Sequence, residues 1–284
     1  MIAAKKPSIS AAQILDDCID GMHASIVRER SESLRPRIIG QQAHYDALAT
    51  ARSLHSLPLV KHAGGDVVWE KATKQDLVDL YEKHMVPRSK AARSHYDAIL
   101  ITQARCPYCN LGHSSTLDHF LPKSRLPMYS IIPENLVPCC RDCQFKKGRN
   151  IARTHATQTL HPYYDHEHFT SDRWIFARII SRSPTSVEYF ANPPDSWTSI
   201  DRSRALEHFK AHGLAERFKV EAATELSFLN HLYQDNRKKG RTLDISAGLA
   251  AAAASHARDC PNSWRSALYS ALSNDSSYIN ARTV

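Results

Sequence analysis

Cys106-Pro-Tyr-Cys109 and Cys140-Arg-Asp-Cys143 bracket the run Thr116-Leu-Asp-His-Phe-Leu121, and this stretch decides how the chain folds. Five of the seven cysteines fall between positions 106 and 143, with Cys18 and Cys260 outside. A disulfide framework is not clustered this way, and a reducing cytoplasm would not keep one. Two CxxC pairs supply four thiolates, the donor set of a tetrahedral structural zinc site. A redox dithiol is the other use of a single CxxC; two pairs close in sequence speak against it. Cys139 adjoins Cys140 and could replace it, but the CxxC register to Cys143 favours Cys140. Cys18 and Cys260 read as small buried apolar residues.

Thirty residues, 110 to 139, separate the pairs. A simple zinc ribbon has about 15–20 there, so a folded insert must lie between the two halves of the site. Short apolar stretches at 116–121 and 135–137 predict two strands, bounded by Pro122, Pro127, Pro133 and Pro138. From Arg141 the polar, basic pattern predicts a helix closed by Gly148. The expected unit is two strands and a helix, pinned by zinc.

In this order the residues resemble the HNH endonucleases, a ββα-metal fold with paired zinc knuckles. The carriers are Asp118-His119 on the first strand, Asn135 opening the second, and the Cys140–Cys143 knuckle running into a helix that ends Lys147-Gly148. The resemblance covers residues 100–152. It implies that His119 is the general base for an attacking water, a role a neutral histidine fills near pH 7. It implies that Asp118 gives a hard oxygen to a catalytic divalent cation, Mg2+ or Mn2+, and that Asn135 braces the loop and orients His119. The third family position falls on Gln144, where the family usually has histidine or asparagine. Its carbonyl is still an oxygen donor, one methylene further out.

From 103 to 153 there are eight Lys and Arg against Asp118, Glu134 and Asp142. This local excess suits a polyanion, and Lys123, Lys146, Lys147 and Arg149 are the expected phosphate contacts. Nothing resembles a base-reading element, so little sequence specificity is expected.

The flanks read as scaffold. Residues 8–60 read as helical, with Ile14, Leu15, Cys18, Ile19, Met22 and Ile26 near a 3.6 period and a second helix near 41–54. Asp66–Trp69 reads as extended. Thr73 is an expected N-cap, with Leu77, Leu80, Tyr81 and His84 on one face. Residues 91–104 form a further helix with Tyr96, Ile99 and Leu100 inward. His23, His44, His55, His62, His84 and His95 form no ligand spacing, and His161, His166 and His168 lack an acidic or cysteine partner in a recognised spacing. After the insert, alternation in 173–178 and 186–190 predicts a hairpin. Helices follow from Ile200 to His212 and from Phe218 to Tyr233, then a basic link, Asn236–Arg241, an alanine-rich helix near Ala250–Ala254, and an end expected to fray.

The 284 residues carry 37 Lys and Arg against 29 Asp and Glu, and 42% are hydrophobic, enough for a core. The expected class is α+β: a helical N-terminal region (1–99, scaffold or partner-binding), the HNH module (100–152) and an α+β extension with a helical C-terminus (153–284). No apolar run reaches about 18 residues, and the first thirty carry Lys5, Lys6, Asp16, Asp17 and Asp20. Neither a membrane span nor a signal peptide is expected, and the location expected is cytoplasmic. The function expected is metal-dependent, HNH-type cleavage of DNA, RNA being the second substrate. The same layout resembles, more loosely, HNH nucleases of bacterial anti-phage systems such as the Septu type, which implies an ATPase partner. The competing expectation is a zinc-stabilised nucleic-acid-binding or scaffold protein with a decayed site.

Overall fold

The computed structural model describes residues 1–58, 61 and 63–283. Positions 59, 60, 62 and 284 lie outside the described residues, His62 among them. The fold is mixed α+β, with a helical N-terminus and three separate two-stranded antiparallel sheets among the described residues. The chain forms two compact units, Ala3–Tyr108 with Gly112–Asp165, and Met1–Ile2 with Cys109–Leu111 and His166–Val284. Where sequence suggests three segments, the N-terminal helices and the ββα insert share one unit, because they bury a common core.

That unit opens with α1 (Ala11–Asp20), held by a capping box between Ser10 and Gln13 and burying Ile14, Leu15, Cys18 and Ile19. The expected continuous periodicity stops at Gly21. Ile26 starts α2 (Ile26–Glu32) behind its own cap, Ser25, and is 56% exposed, outside the apolar stripe. The next helix, α3 (Arg35–Thr50), starts earlier than expected because a proline sits in its first turn, a position that needs no N–H. A short ribbon pairs β1 (Val67–Trp69) with β2 (Ala72–Thr73). Thr73 caps α4 (Lys74–Asp79) in a capping box with Asp76.

The chain then continues as a π-helical turn, Leu80–Met85. Five residues per hydrogen bond shift the buried face by one position. Met85, rather than the expected His84, is therefore fully buried with Leu77 and Leu80. Helix α5 (Arg93–Leu100) follows, with Tyr96 and Ile99 inward and Leu100 half-buried.

The insert is a second ribbon and a helix. Strands β3 (Thr116–His119) and β4 (Leu136–Cys139) pair antiparallel, with Thr116 opposite Cys139 and His119 opposite Leu136. β3 stops two residues before expectation. The Asn135 side chain takes the Leu121 N–H at 2.7 Å and donates to the Leu121 carbonyl at 3.1 Å, which removes both groups from the ladder. Asn135 closes a 3-10 turn, Pro133–Asn135, and β4 begins after it. Helix α6 (Arg141–Lys147) has Cys140 as N-cap and ends at Gly148, whose φ of 57° suits a residue without a Cβ.

The second unit is built on a hairpin. After a single-turn helix, α7 (His168–Ser171), β5 (Ile175–Arg182) pairs with β6 (Thr185–Ala191). Then come α8 (Ser199–Ala211), α9 (Leu214–Lys238), α10 (Ile245–Asp259), α11 (Trp264–Ser273) and α12 (Ser276–Thr283). α9 packs on β6, and α11 packs on β5 and α10. Asn262 is fully buried and ties the base of the hairpin: its Oδ1 accepts from the N–H of Trp174 (2.8 Å) and of Ile175, and its Nδ2 donates to the Asp172 carbonyl.

Three sequence expectations change here. Gly213, at φ 58°, lets α9 begin four residues before Phe218. α9 also runs through Lys238, absorbing half of the basic link. The segment expected to fray is helical through Thr283: the Asp275 carboxylate accepts from the Tyr278 N–H at 2.7 Å, and Tyr278 is buried at 1% exposure.

Candidate functional site

The Sγ atoms of Cys106, Cys109, Cys140 and Cys143 all lie within 4.8 Å of one another, and all four residues are buried. Four sulfurs about 2.3 Å from a tetrahedral ion stand about 3.8 Å apart, so this group could hold a metal such as zinc. The first pair sits in a tight turn: the Cys106 N–H bonds the Gly112 carbonyl at 2.9 Å, and Asn110 adopts φ 52°. The second pair spans the N-terminal turn of α6, where backbone N–H groups favour thiolates. Cys139 is buried in β4 and is not one of the four.

Beside this group, β3 presents Asp118 and His119. Both line a cleft of about 470 Å³ together with Lys123, Gln144 and Arg149, and with Lys74, Gln75 and Glu82 of α4 and its π-helical extension. The His119 Nε2 lies 2.8 Å from the Ser130 carbonyl. A carbonyl only accepts, so Nε2 carries the proton and Nδ1 keeps its lone pair. The Ser130 hydroxyl in turn donates to the Leu77 carbonyl of α4. Tyr81 packs edge-on against the imidazole, with ring centroids 4.4 Å apart. Burial lowers the His119 pKa to about 3, and the nearby charges of Lys123 and Lys147 push the same way. The ring is therefore neutral at physiological pH.

Asp118 is 4% exposed. Its Oδ2 lies 2.9 Å from the Lys147 ammonium and accepts from the Tyr108 hydroxyl at 3.1 Å. Burial pushes its carboxyl pKa up, opposed by Lys147. Gln144 donates through Nε2 to the Leu117 carbonyl at 3.3 Å and lines the same cleft. Asn135 is fully buried and spans the loop, bonding Leu121 twice and the Tyr129 carbonyl at 3.0 Å. It braces the segment that carries Ser130, so it acts on His119 through that carbonyl rather than by direct contact.

The four basic residues separate. Lys123 and Arg149 line the cleft, Lys123 also pairing with Glu82 at 3.3 Å, and Lys146 is exposed on α6. Lys147, expected on phosphate, turns inward at 5% exposure and donates to the His119 carbonyl at 2.6 Å as well as pairing with Asp118. The reason is helical spacing: Lys147 lies one turn after Cys143 and shares its buried face. Sequence did not single out Tyr108 or Ser130, and it placed Tyr81 only on one face of its helix. Tyr108, inside the first CxxC, carried the only available signal, a side chain fixed by its two cysteine neighbours.

Together the fold and site define a mixed α+β protein whose ββα insert carries a four-cysteine group beside a buried Asp-His pair. The "Protein ea31" of Escherichia phage lambda is 30% identical over 294 residues, covering 96% of this chain and 97% of its own length. The chain belongs to the family of that phage protein. No family profile matches it, and no solved structure matches it either. Among the described residues no helix is long and apolar enough to cross a membrane.

Proposed function

We propose that the protein is a metal-dependent HNH-type endonuclease that hydrolyses phosphodiester bonds in nucleic acid, DNA foremost, with the four cysteines holding structural zinc. The observation that carries this reading is the placement of His119. Its Nε2 is fixed to the Ser130 carbonyl, and the ring is set on a cleft wall beside a carboxylate and two cationic side chains.

The residues fit a hard divalent cation. The two Asp118 contacts given above both fall on Oδ2, leaving Oδ1, and Gln144, which has a carbonyl oxygen to offer, lines the same cleft. Asp118 and Gln144 would hold the ion, which when bound neutralises charge developing on the phosphodiester. His119 takes the proton of the attacking water at Nδ1. Ser130 keeps the imidazole from turning, and Asn135 keeps Ser130 in place. Lys123 and Arg149 hold the phosphate oxygens of the strand.

The test is supercoiled plasmid incubated with the purified protein and Mg2+ or Mn2+, beside His119→Ala and a chelator control. Metal-dependent cutting that the variant loses supports the assignment. Cutting by His119→Ala at the wild-type rate refutes it.

One observation favours the second reading, a binding protein with a decayed site: Lys147 already neutralises part of Asp118. A cation titration separates the two, because a live site takes a second, exchangeable ion that Asp118→Ala loses. By the looser resemblance, the nuclease is the effector of an anti-phage system and works beside an ATPase; co-purification from cells expressing both tests that pairing.

A further inference from the structure

Phe145 is 84% exposed, the most exposed large apolar side chain among the described residues. It lies on α6 between two cleft-lining positions, Gln144 and Gly148–Arg149. Helical spacing places Arg141 one turn before it on the same outward face, and Lys146 follows it, also exposed. Of the charged residues from Arg141 to Arg149, Asp142 alone is acidic. The helix carries two of the four clustered cysteines at its start and is anchored at its finish by Lys147 on Asp118 and the His119 carbonyl. An aromatic ring on an anchored helix, set among cations at the rim of a cleft lined by Lys123 and Arg149, has the makings of a base-stacking platform.

We infer that Phe145 stacks on an unpaired base next to the phosphate held in the cleft, so that the preferred substrate is a single strand or a duplex already opened at that point. This rests on the nucleic-acid reading of the cleft proposed above. Bases inside an intact duplex already have both faces covered, and one phenyl ring gains a face there only by unstacking a step, which costs a few kcal/mol. An unpaired base offers its face at no such cost. Lys146 and Arg141 flank the ring and meet the phosphates on either side of the stacked base.

The experiment measures binding, separately from cutting. The His119→Ala protein, with fold and zinc content verified, is titrated with a single-stranded oligonucleotide and with the matching blunt duplex. Phe145→Ala in that background is expected to bind the single strand about five- to 150-fold more weakly, with the duplex affected less than twofold. Phe145→Leu, which keeps the volume and loses the π face, is expected to fall near the alanine variant. Phe145→Trp is expected to restore affinity, and its added emission to be quenched as the strand binds. Unchanged single-strand affinity in Phe145→Ala overturns the inference, and so does an equal loss on both substrates. Unmoved tryptophan emission at saturation does the same. A changed oligomeric state in Phe145→Ala also overturns it, because the ring would then cover a second copy of the chain. Cutting of plasmid by the wild type with no stacking signal defeats only this inference; stacking without any cutting defeats the nuclease reading instead.

Discussion

Replacing Lys147 with methionine keeps most of the side-chain volume and removes the charge. Lys147 and Asp118 have side chains 5% and 6% exposed, with Nζ 2.9 Å from Oδ2. At that distance, and with an effective dielectric of 20, the Coulomb attraction is about 6 kcal/mol before desolvation is counted. The desolvation cost has been met once the pair is buried, so deleting one partner strands the other. Asp118 would escape by taking a proton. At pH 7 that costs a carboxylate of ordinary pKa about 4 kcal/mol, which caps the penalty. The same escape costs about 1.5 kcal/mol at pH 5, because the unfolded carboxyl is then closer to its own protonation point. The expected result is therefore a loss of about 4 kcal/mol at pH 7 that shrinks as pH falls to 5, read by urea denaturation at constant zinc. Asp118→Asn added to Lys147→Met is expected to recover most of the loss at pH 7. A Lys147→Met protein within 1 kcal/mol of wild type at pH 7, or a penalty that grows on acidification, would refute the buried-pair account. A phosphate-contacting lysine would behave otherwise, leaving stability alone and flattening the salt dependence of nucleic-acid binding.

Cys143→Ser and Cys140→Ser should each release the zinc measured by elemental analysis and destabilise the fold, while Cys139→Ser should keep it; zinc retained in Cys140→Ser and lost in Cys139→Ser would reassign the ligand. Asn135→Ala strands two backbone acceptors and one donor in a buried loop, and a loss of about 2–4 kcal/mol is expected, with less than 1 kcal/mol counting against its bracing role. His119, with its pKa lowered to about 3 by burial, should stay neutral from pH 8 down to pH 5. Its folded pKa lies below the unfolded value near 6.5, so the stability it contributes is complete above pH 6.5 and drains away towards pH 3. Ring nitrogen shifts in NMR should show a neutral Nε2–H tautomer at pH 5.5, and an imidazolium there would contradict the buried geometry. His119→Ala should cut plasmid at least 100-fold more slowly than wild type, with zinc content unchanged.

Much of the insert was legible because its signals are local. CxxC spacing, proline boundaries and a closing glycine each act within a few residues, and the two strands and α6 fall close to where they were expected. The hairpin near residues 175–191 was legible for the same reason. Other features depended on contacts distant in sequence. Nothing around His84 announces a π-helical turn, and the extra residue hands the buried position to Met85. The early end of β3 is imposed by Asn135 from fourteen residues away. The contribution of α4 to the cleft was invisible, since Lys74, Gln75 and Glu82 are ordinary solvated residues until the fold sets them opposite Asp118. Lys147 is the instructive miss. Its composition suggested phosphate, whereas its spacing from Cys143 already placed it on the inward face. Read by period rather than by charge, its burial was within reach of the sequence.

The two fastenings of α6 bear on how such a protein diverges. The rod is seven residues long, with two of the four clustered cysteines at one end and a buried ammonium pairing with Asp118 at the other. What the cleft requires is that the rod not shift; the chemistry of the knot is secondary. A lineage could exchange the cysteines for another clasp, a salt bridge or an apolar plug, so long as the opposite end stayed tied. Loss of both ties in one descendant would free the rod, and with it the cleft wall formed by Gln144, Gly148 and Arg149. Drift is thus channelled: either anchor can be exchanged first, but the two cannot be lost together.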